Sequence, residues 1–208
     1  MVCAFWSLRS VNFPRYDRLM REGRFLESSQ FGFYLAAGLA LLWVAVSFFR
    51  AGAHGRAVLF LFCCAACFFV ALEEISWGQR FLGVSSTDYF RLKNMQGETN
   101  VHNLLVFQPY LHGAYILVAG ILTAVCLFPG DRLRTRFWFL IPRRRLVFYF
   151  LPVLVFYSWF EAYRLVTGLH IYPYDQELCE AVFAPGLFLF SLQILMEQRR
   201  RRSSAAGE

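Results

Sequence analysis

Charge is scarce in this sequence. Asp, Glu, Lys and Arg make up 17% of the 208 residues, against about a quarter in soluble domains, and mean hydropathy is +0.44. A chain this apolar lacks the polar surface of a soluble domain, and its length leaves no room for a second globular unit. Lysine is nearly missing too, Lys93 being the one exception among 21 basic residues. A formal net charge of +7 raises nucleic acid as a partner in a soluble protein. Here the arginines fall between apolar runs, the pattern by which membrane proteins fix their orientation, so the expected partner is the lipid bilayer and no nucleic acid. Internal repeats and low-complexity segments are absent. The six cysteines form no disulfide framework: Cys63, Cys64, Cys67 and Cys126 sit inside apolar runs as small hydrophobes. Cys63 and Cys67 share a helical face without a histidine or second cysteine pair to complete a metal site. Cys3 lacks the preceding apolar stretch of a lipid-modified cysteine.

What the sequence has in abundance is long apolar runs. Five are each close to the roughly 20 residues that cross a ~30 Å hydrocarbon core: Phe31 to Phe49, Ala57 to Trp77, Leu104 to Phe128, Leu146 to Val166 and Leu178 to Met196. The fold class is therefore all-α, a polytopic membrane protein of about five transmembrane helices. Residues 1–30 read as an interfacial N-terminal segment, 31–197 as the transmembrane domain and 198–208 as a basic C-terminal tail, disordered after Arg202. Within the first segment, Arg15 to Glu27 alternates apolar residues with arginines, as a helix lying in the interface does; a basic tail that only sets topology is the equal alternative. Glu27 complements a helix dipole just ahead of the first run. Gly32, Ala36, Ala37, Gly38 and Ala40 offer a small-residue face for close helix packing. Pro152 and Pro185 fall inside the fourth and fifth runs, where a kink frees backbone carbonyls.

Arginines concentrate at Arg50 and Arg56, from Arg132 to Arg145, and from Arg199 to Arg202. With five spans these segments share one side, expected to be the cytoplasm of a cell inner membrane. That puts the N-terminus outside and the C-terminus inside, although Arg9, Arg15, Arg18, Arg21 and Arg24 pull the other way.

Between the second and third runs lie Glu73-Glu74-Ile75-Ser76-Trp77-Gly78-Gln79-Arg80 and Asn94-Met95-Gln96-Gly97-Glu98-Thr99-Asn100-Val101-His102-Asn103. Carboxylates at membrane depth cost about 2.5–3.5 kcal/mol each on insertion scales and usually face a polar interior. Glu161, Asp175, Glu177 and Glu180 approach the same outer end. Spacing sets Glu73, Trp77 and Arg80 on one helical face, which suggests an arginine-paired Glu73 and leaves Glu74 to look inward with Glu98 and His102. Asn94, Glu98 and His102 share a face if their segment is helical. Glu177 and Glu180 stand one turn apart, as do Glu161 and Arg164. Carboxylates converging from several helices with one histidine have the composition of a divalent-metal site, with Glu74, Glu98, His102, Glu177 and Glu180 as candidate ligands. His112, deep in the third run, and His170, in an outer loop, stand apart from that set. Glu74, Glu98 and His102 are the candidate acid–base residues. Glu73, Arg80, Asn94, Gln96, Asn100, Asn103 and Glu161 complete the polar region.

The two motifs, with Tyr16-Asp17-Arg18-Leu19 and Glu27 upstream and the acids near the last run, resemble a family of multi-pass bacterial membrane proteins of unknown function. The resemblance implies a membrane fold and a shared polar site. A looser likeness is to the CAAX-protease and bacteriocin-processing intramembrane metalloproteases. The sequence departs from them in the Glu74–Arg80 spacing, in Glu98 standing where a Phe is expected, and in lacking the later His-x-x-x-Asn/Asp. Three function classes follow: a metal-assisted hydrolase or transferase acting on a lipid or lipid-linked substrate, a proton- or cation-coupled transporter, and a non-catalytic subunit locked by a polar network.

Overall fold

The computed structural model describes residues 11–15, 25–168 and 174–206. Most of the expected interfacial segment lies outside the described residues, and so do His170 and the Tyr16–Leu19 motif. Helices follow in the order α1 (Phe25–Arg50), α2 (His54–Glu74), α3 (Gln79–Leu82), α4 (Asp88–Lys93), α5 (Gln108–Leu127), α6 (Asp131–Arg136), α7 (Val147–Thr167) and α8 (Tyr174–Ala206). No β-strand occurs among the described residues. Five of the helices, α1, α2, α5, α7 and α8, are long and apolar enough to cross a membrane. The chain is an all-α polytopic membrane protein.

The expected runs differ from the helices at their ends. α1 is already helical at Phe25, six residues before the apolar run, and carries Glu27 and Gln30. α2 stops at Glu74, where the expected run continued to Trp77. The tail after Arg202, expected to be disordered, is helical as far as Ala206, and Arg199 to Arg202 extend a spanning helix. Pro152 and Pro185 are accommodated inside α7 and α8.

α8 is the spine. α1 packs on α2 and on α8, while α5 packs on α7 and α7 on α8; α2 and α5 are not among the closely packed pairs. The two largest apolar clusters among the described residues both include α8. One joins Val44 and Phe48 of α1, Phe60 and Cys64 of α2, and Ile194 of α8. The other joins Ala119 of α5, Phe150, Val153 and Phe160 of α7, and Phe183 of α8. Without a hydrophobic drive between helices in lipid, close approach depends on small residues. Ala37, Gly38 and Ala40 serve it as expected, Gly38 lying against the Phe68 ring, whereas Gly32 faces open space. The tightest approach is elsewhere: a Cβ on Gly186 would stand 2.6 Å from Cβ of Tyr149, so glycine is what lets α8 meet α7. The described cysteines Cys63, Cys64, Cys67, Cys126 and Cys179 are free thiols.

Candidate functional site

The site begins where α2 ends. Ser76 (φ 49°), Trp77 (φ 56°) and Gly78 (φ 76°) are all left-handed, which costs roughly 1–2 kcal/mol for each non-glycine residue. This reversal ends the helical face that was expected to carry Glu73, Trp77 and Arg80 in line. The Trp77 indole instead folds back to donate to Glu73 Oε1 at 2.5 Å. Side-chain bonds hold the strained turn: Ser76 is fully buried, its hydroxyl donating to Glu98 Oε2 at 2.5 Å and accepting from Asn100 Nδ2 at 3.1 Å. Ser76 was not singled out in the sequence, since a lone serine beside a glycine carries no signal of such a role.

The segment from Asn94 to Asn103 is a knot of turns, so Asn94, Glu98 and His102 do not share a helical face. Asn94 is its hub. Its Nδ2 donates to the Asn100 carbonyl and to Asn100 Oδ1, and its Oδ1 accepts from the backbone of Gln96 and Glu98. A bridge between Asn94 and Leu104 closes the knot. Gly97 takes φ 69° within it, a conformation that glycine adopts without cost. Thr99 N donates to Gln79 Oε1, tying the knot to α3.

Glu73 clips this knot to α2. Its Oε2 accepts from the backbone N–H of Val101 at 2.6 Å and of His102 at 2.9 Å, and lies 3.3 Å from His102 Nδ1. Among the described residues Glu73 is held by the indole, backbone amides and imidazole; the arginine partner expected for it was Arg80. The Arg80 side chain lies outside the described residues. On the other side of the ring, His102 Nε2 is 3.0 Å from Asn103 Nδ2. Burial works to lower the His102 pKa, but the hydrogen bond to Glu73 and the charges of Glu180 and Glu177 outweigh it and leave it raised above its ordinary 6.5.

Glu74, one residue on, points elsewhere. Adjacent helical residues diverge by about 100°, and Glu74 is directed inward with only 4% of its surface exposed. Its electrostatic neighbours include Glu180, Glu177 and Glu27, and its Oε2 has no hydrogen-bond partner among the described residues. The expected grouping of Glu74 with Glu98 and His102 does not form, because Glu98 is taken by Ser76 and His102 by Glu73. Glu74 meets the acids of α8. Glu177 receives Gln30 Nε2 from α1 and Gln96 Nε2 from the knot, each at 3.3 Å. Glu180 Oε1 accepts from the Tyr157 hydroxyl of α7 at 2.8 Å. Gln30 is fully buried, and its Oε1 also lacks a partner among the described residues. Gln30 and Tyr157 were missed in the sequence because single polar groups in apolar runs read as packing residues.

A third group lies at the start of α5. His112 Nδ1 is 2.5 Å from Glu161 Oε1, and its Nε2 is 3.1 Å from Gln108 Oε1. Gln108 Nε2 donates to the His102 carbonyl at 2.8 Å, linking this group to the knot. Glu161 is also held by Arg164 at 2.6 Å, the one-turn pair expected from spacing. Glu161 is therefore part of a separate ion pair.

Among the described residues, no three His, Cys, Asp or Glu side chains are arranged to hold a metal ion. Of the five expected ligands, His102 is bonded to Glu73 and Glu98 to Ser76, while Glu74 has Glu177 and Glu180 as electrostatic neighbours, acids whose charges also act on His102. No family model matches the chain, nor does any curated protein or solved structure.

Proposed function

We propose that this integral membrane protein works through the buried carboxylates Glu74, Glu177 and Glu180, which bind and release protons in exchange with a cation. The observation that carries the reading is the Glu74 carboxylate: buried, with Oε2 unpartnered, and facing two further acids. Like charges at such range cannot all be ionised without a counter-ion, and each ionised acid at depth costs about 2.5–3.5 kcal/mol. A proton or cation must therefore enter for the cluster to be stable. The metal-assisted hydrolase reading needs Glu74, Glu98 and His102 to act on one centre, and their separate partners favour the proton–cation reading over it. Arginine clustering supports placing the cluster at the outward end of an inner-membrane protein, with the C-terminus cytoplasmic.

An apolar carbodiimide tests this, because it reacts with protonated carboxyls in apolar surroundings. Purified protein treated with dicyclohexylcarbodiimide should gain one adduct on Glu74, lost in Glu74→Gln and suppressed by the cation that the site accepts. A panel of sodium, potassium, magnesium and manganese identifies that cation. Absence of any adduct on Glu74, Glu177 or Glu180 at mildly acidic pH would overturn the reading.

A further inference from the structure

α2 and α5 stand apart in the bundle, and between them is a lateral cavity of about 260 Å³. Its walls are Ala66, Cys67 and Val70 on one side and Leu111, Ala114 and Val118 on the other. Phe183 and Leu187 of α8 also line it, with Tyr34 of α1 and Tyr115 of α5. The volume is just under the ~300–1,000 Å³ of ordinary small-molecule sites, so it suits one chain better than two. Exposed Ala66 and Ala114 leave its side open between helices that are long and apolar enough to span a membrane.

The tyrosines give this apolar slot a polar end. Tyr34 and Tyr115 both line it, and both have Glu74 and Glu180 as charged neighbours. Tyr115 stacks on Tyr157 with ring centroids 4.7 Å apart, and Tyr157 donates to Glu180. The slot therefore ends at two tyrosines whose charged neighbours are Glu74 and Glu180, and Glu74 Oε2 has no hydrogen-bond partner among the described residues. Gln30 Oε1, beside Glu177, is a second buried acceptor without a donor.

We propose that this crevice binds a single-chain amphiphile with an amine head group, its chain between α2 and α5 and its ammonium against Tyr34, Tyr115 and the Glu74–Glu180 pair. The inference rests on the cation-accepting reading of that cluster and names the head group as the cation. Charge complementarity selects the amine. A buried carboxylate with an unfilled acceptor is stabilised by a charge-assisted donor, whereas a carboxylate or phosphate head would add like charge to three acids. An alcohol offers a donor without the charge.

The test uses the full chain in phosphatidylcholine nanodiscs with three photoactivatable probes of equal chain length: a primary alkylamine, a fatty acid and a fatty alcohol. Cross-links are mapped by mass spectrometry. The amine should label the crevice walls about tenfold more than the fatty acid, the ratio set by one charged contact. Ala114→Trp and Ala66→Phe, which fill the open side from opposite walls, should each remove the label. Glu74→Gln should bring amine labelling down to that of the alcohol while chain labelling persists. Labelling spread over the lipid-facing helices and indifferent to both filling variants overturns the crevice. Crevice labelling in which the fatty acid equals the amine overturns the head-group assignment. Neither failure touches the carbodiimide result, which needs no amphiphile, so the cluster and the crevice are decided separately.

Discussion

The two ends of the bundle treat charge differently. At one end Arg50, Arg132, Arg143, Arg144, Arg145 and Arg199 to Arg202 are exposed. Their contacts include aromatic rings, carbonyls and one acid: Arg56 lies 4.7 Å from the Phe139 ring, Arg201 lies 4.8 Å from Trp138 and pairs with Glu197, and Arg202 donates to the Ser47 carbonyl. At the other end Glu73, Glu74, Asp175, Glu177 and Glu180 are all buried. Arginine's long stem lets it cover apolar surface while its head stays in water. A carboxylate has no such reach, so a buried one must be bonded on the spot or left short of partners. Glu73 takes the first course and Glu74 the second. Charge at the arginine end is exposed at the helix ends; charge at the carboxylate end is built into the interior, where it costs stability unless something fills it.

The comparison breaks most sharply between the two adjacent glutamates. Glu73→Ala removes an acceptor from an indole and two backbone amides at once, and should cost about 3–5 kcal/mol, read as a fall in melting temperature in detergent. Glu74→Gln removes like-charge repulsion while keeping shape, and should leave the melting temperature unchanged or higher. If both variants melt alike, the division of labour between the pair is wrong.

A smaller effect concerns pH. His102 has a pKa raised in the folded protein, so folding tightens its proton. That stabilisation is complete below the unfolded value of about 6.5 and is lost as pH rises through the higher folded value. Burial alone would have given the opposite sign; Glu73, Glu180 and Glu177 decide it. Protonation also asks the Asn103 amide to turn its oxygen to Nε2, an orientation set by the local network. Wild type should lose thermal stability as the buffer moves from mildly acidic to mildly alkaline. His102→Gln should be flatter over the same interval, and parallel curves would remove the imidazole from the clip.

The smallest effect belongs to the arginine end. Arg56→Ala gives up exposed cation–π contacts with Phe48 and Phe139, worth about 0.5–1 kcal/mol, and thermal melting should barely register it. A loss as large as that of Glu73→Ala would show that both ends are structural in the same way.

The sequence by itself determined the five spanning helices, since ~20 apolar residues per crossing is a requirement of length and composition, satisfied locally by every run. It also set the gathering of arginines at one end and acids at the other, and the Glu161–Arg164 pair one turn apart. Only the tertiary structure decided which acid does what. Glu73 and Glu74 are the same residue type one step apart, and their difference depends on a left-handed turn at Ser76 and Trp77 and on a knot that brings Val101 and His102 back to α2. Asn94, Glu98 and His102 have helical spacing, yet asparagine side chains outbid the helix by bonding nearby backbone. The continuation of α8 to Ala206 was hidden by a polar composition that reads as tail. The crevice between α2 and α5 has no sequence signature, because a gap is made by what fails to pack. Polar partners and voids are properties of where separate segments meet, and periodicity along one segment does not contain them.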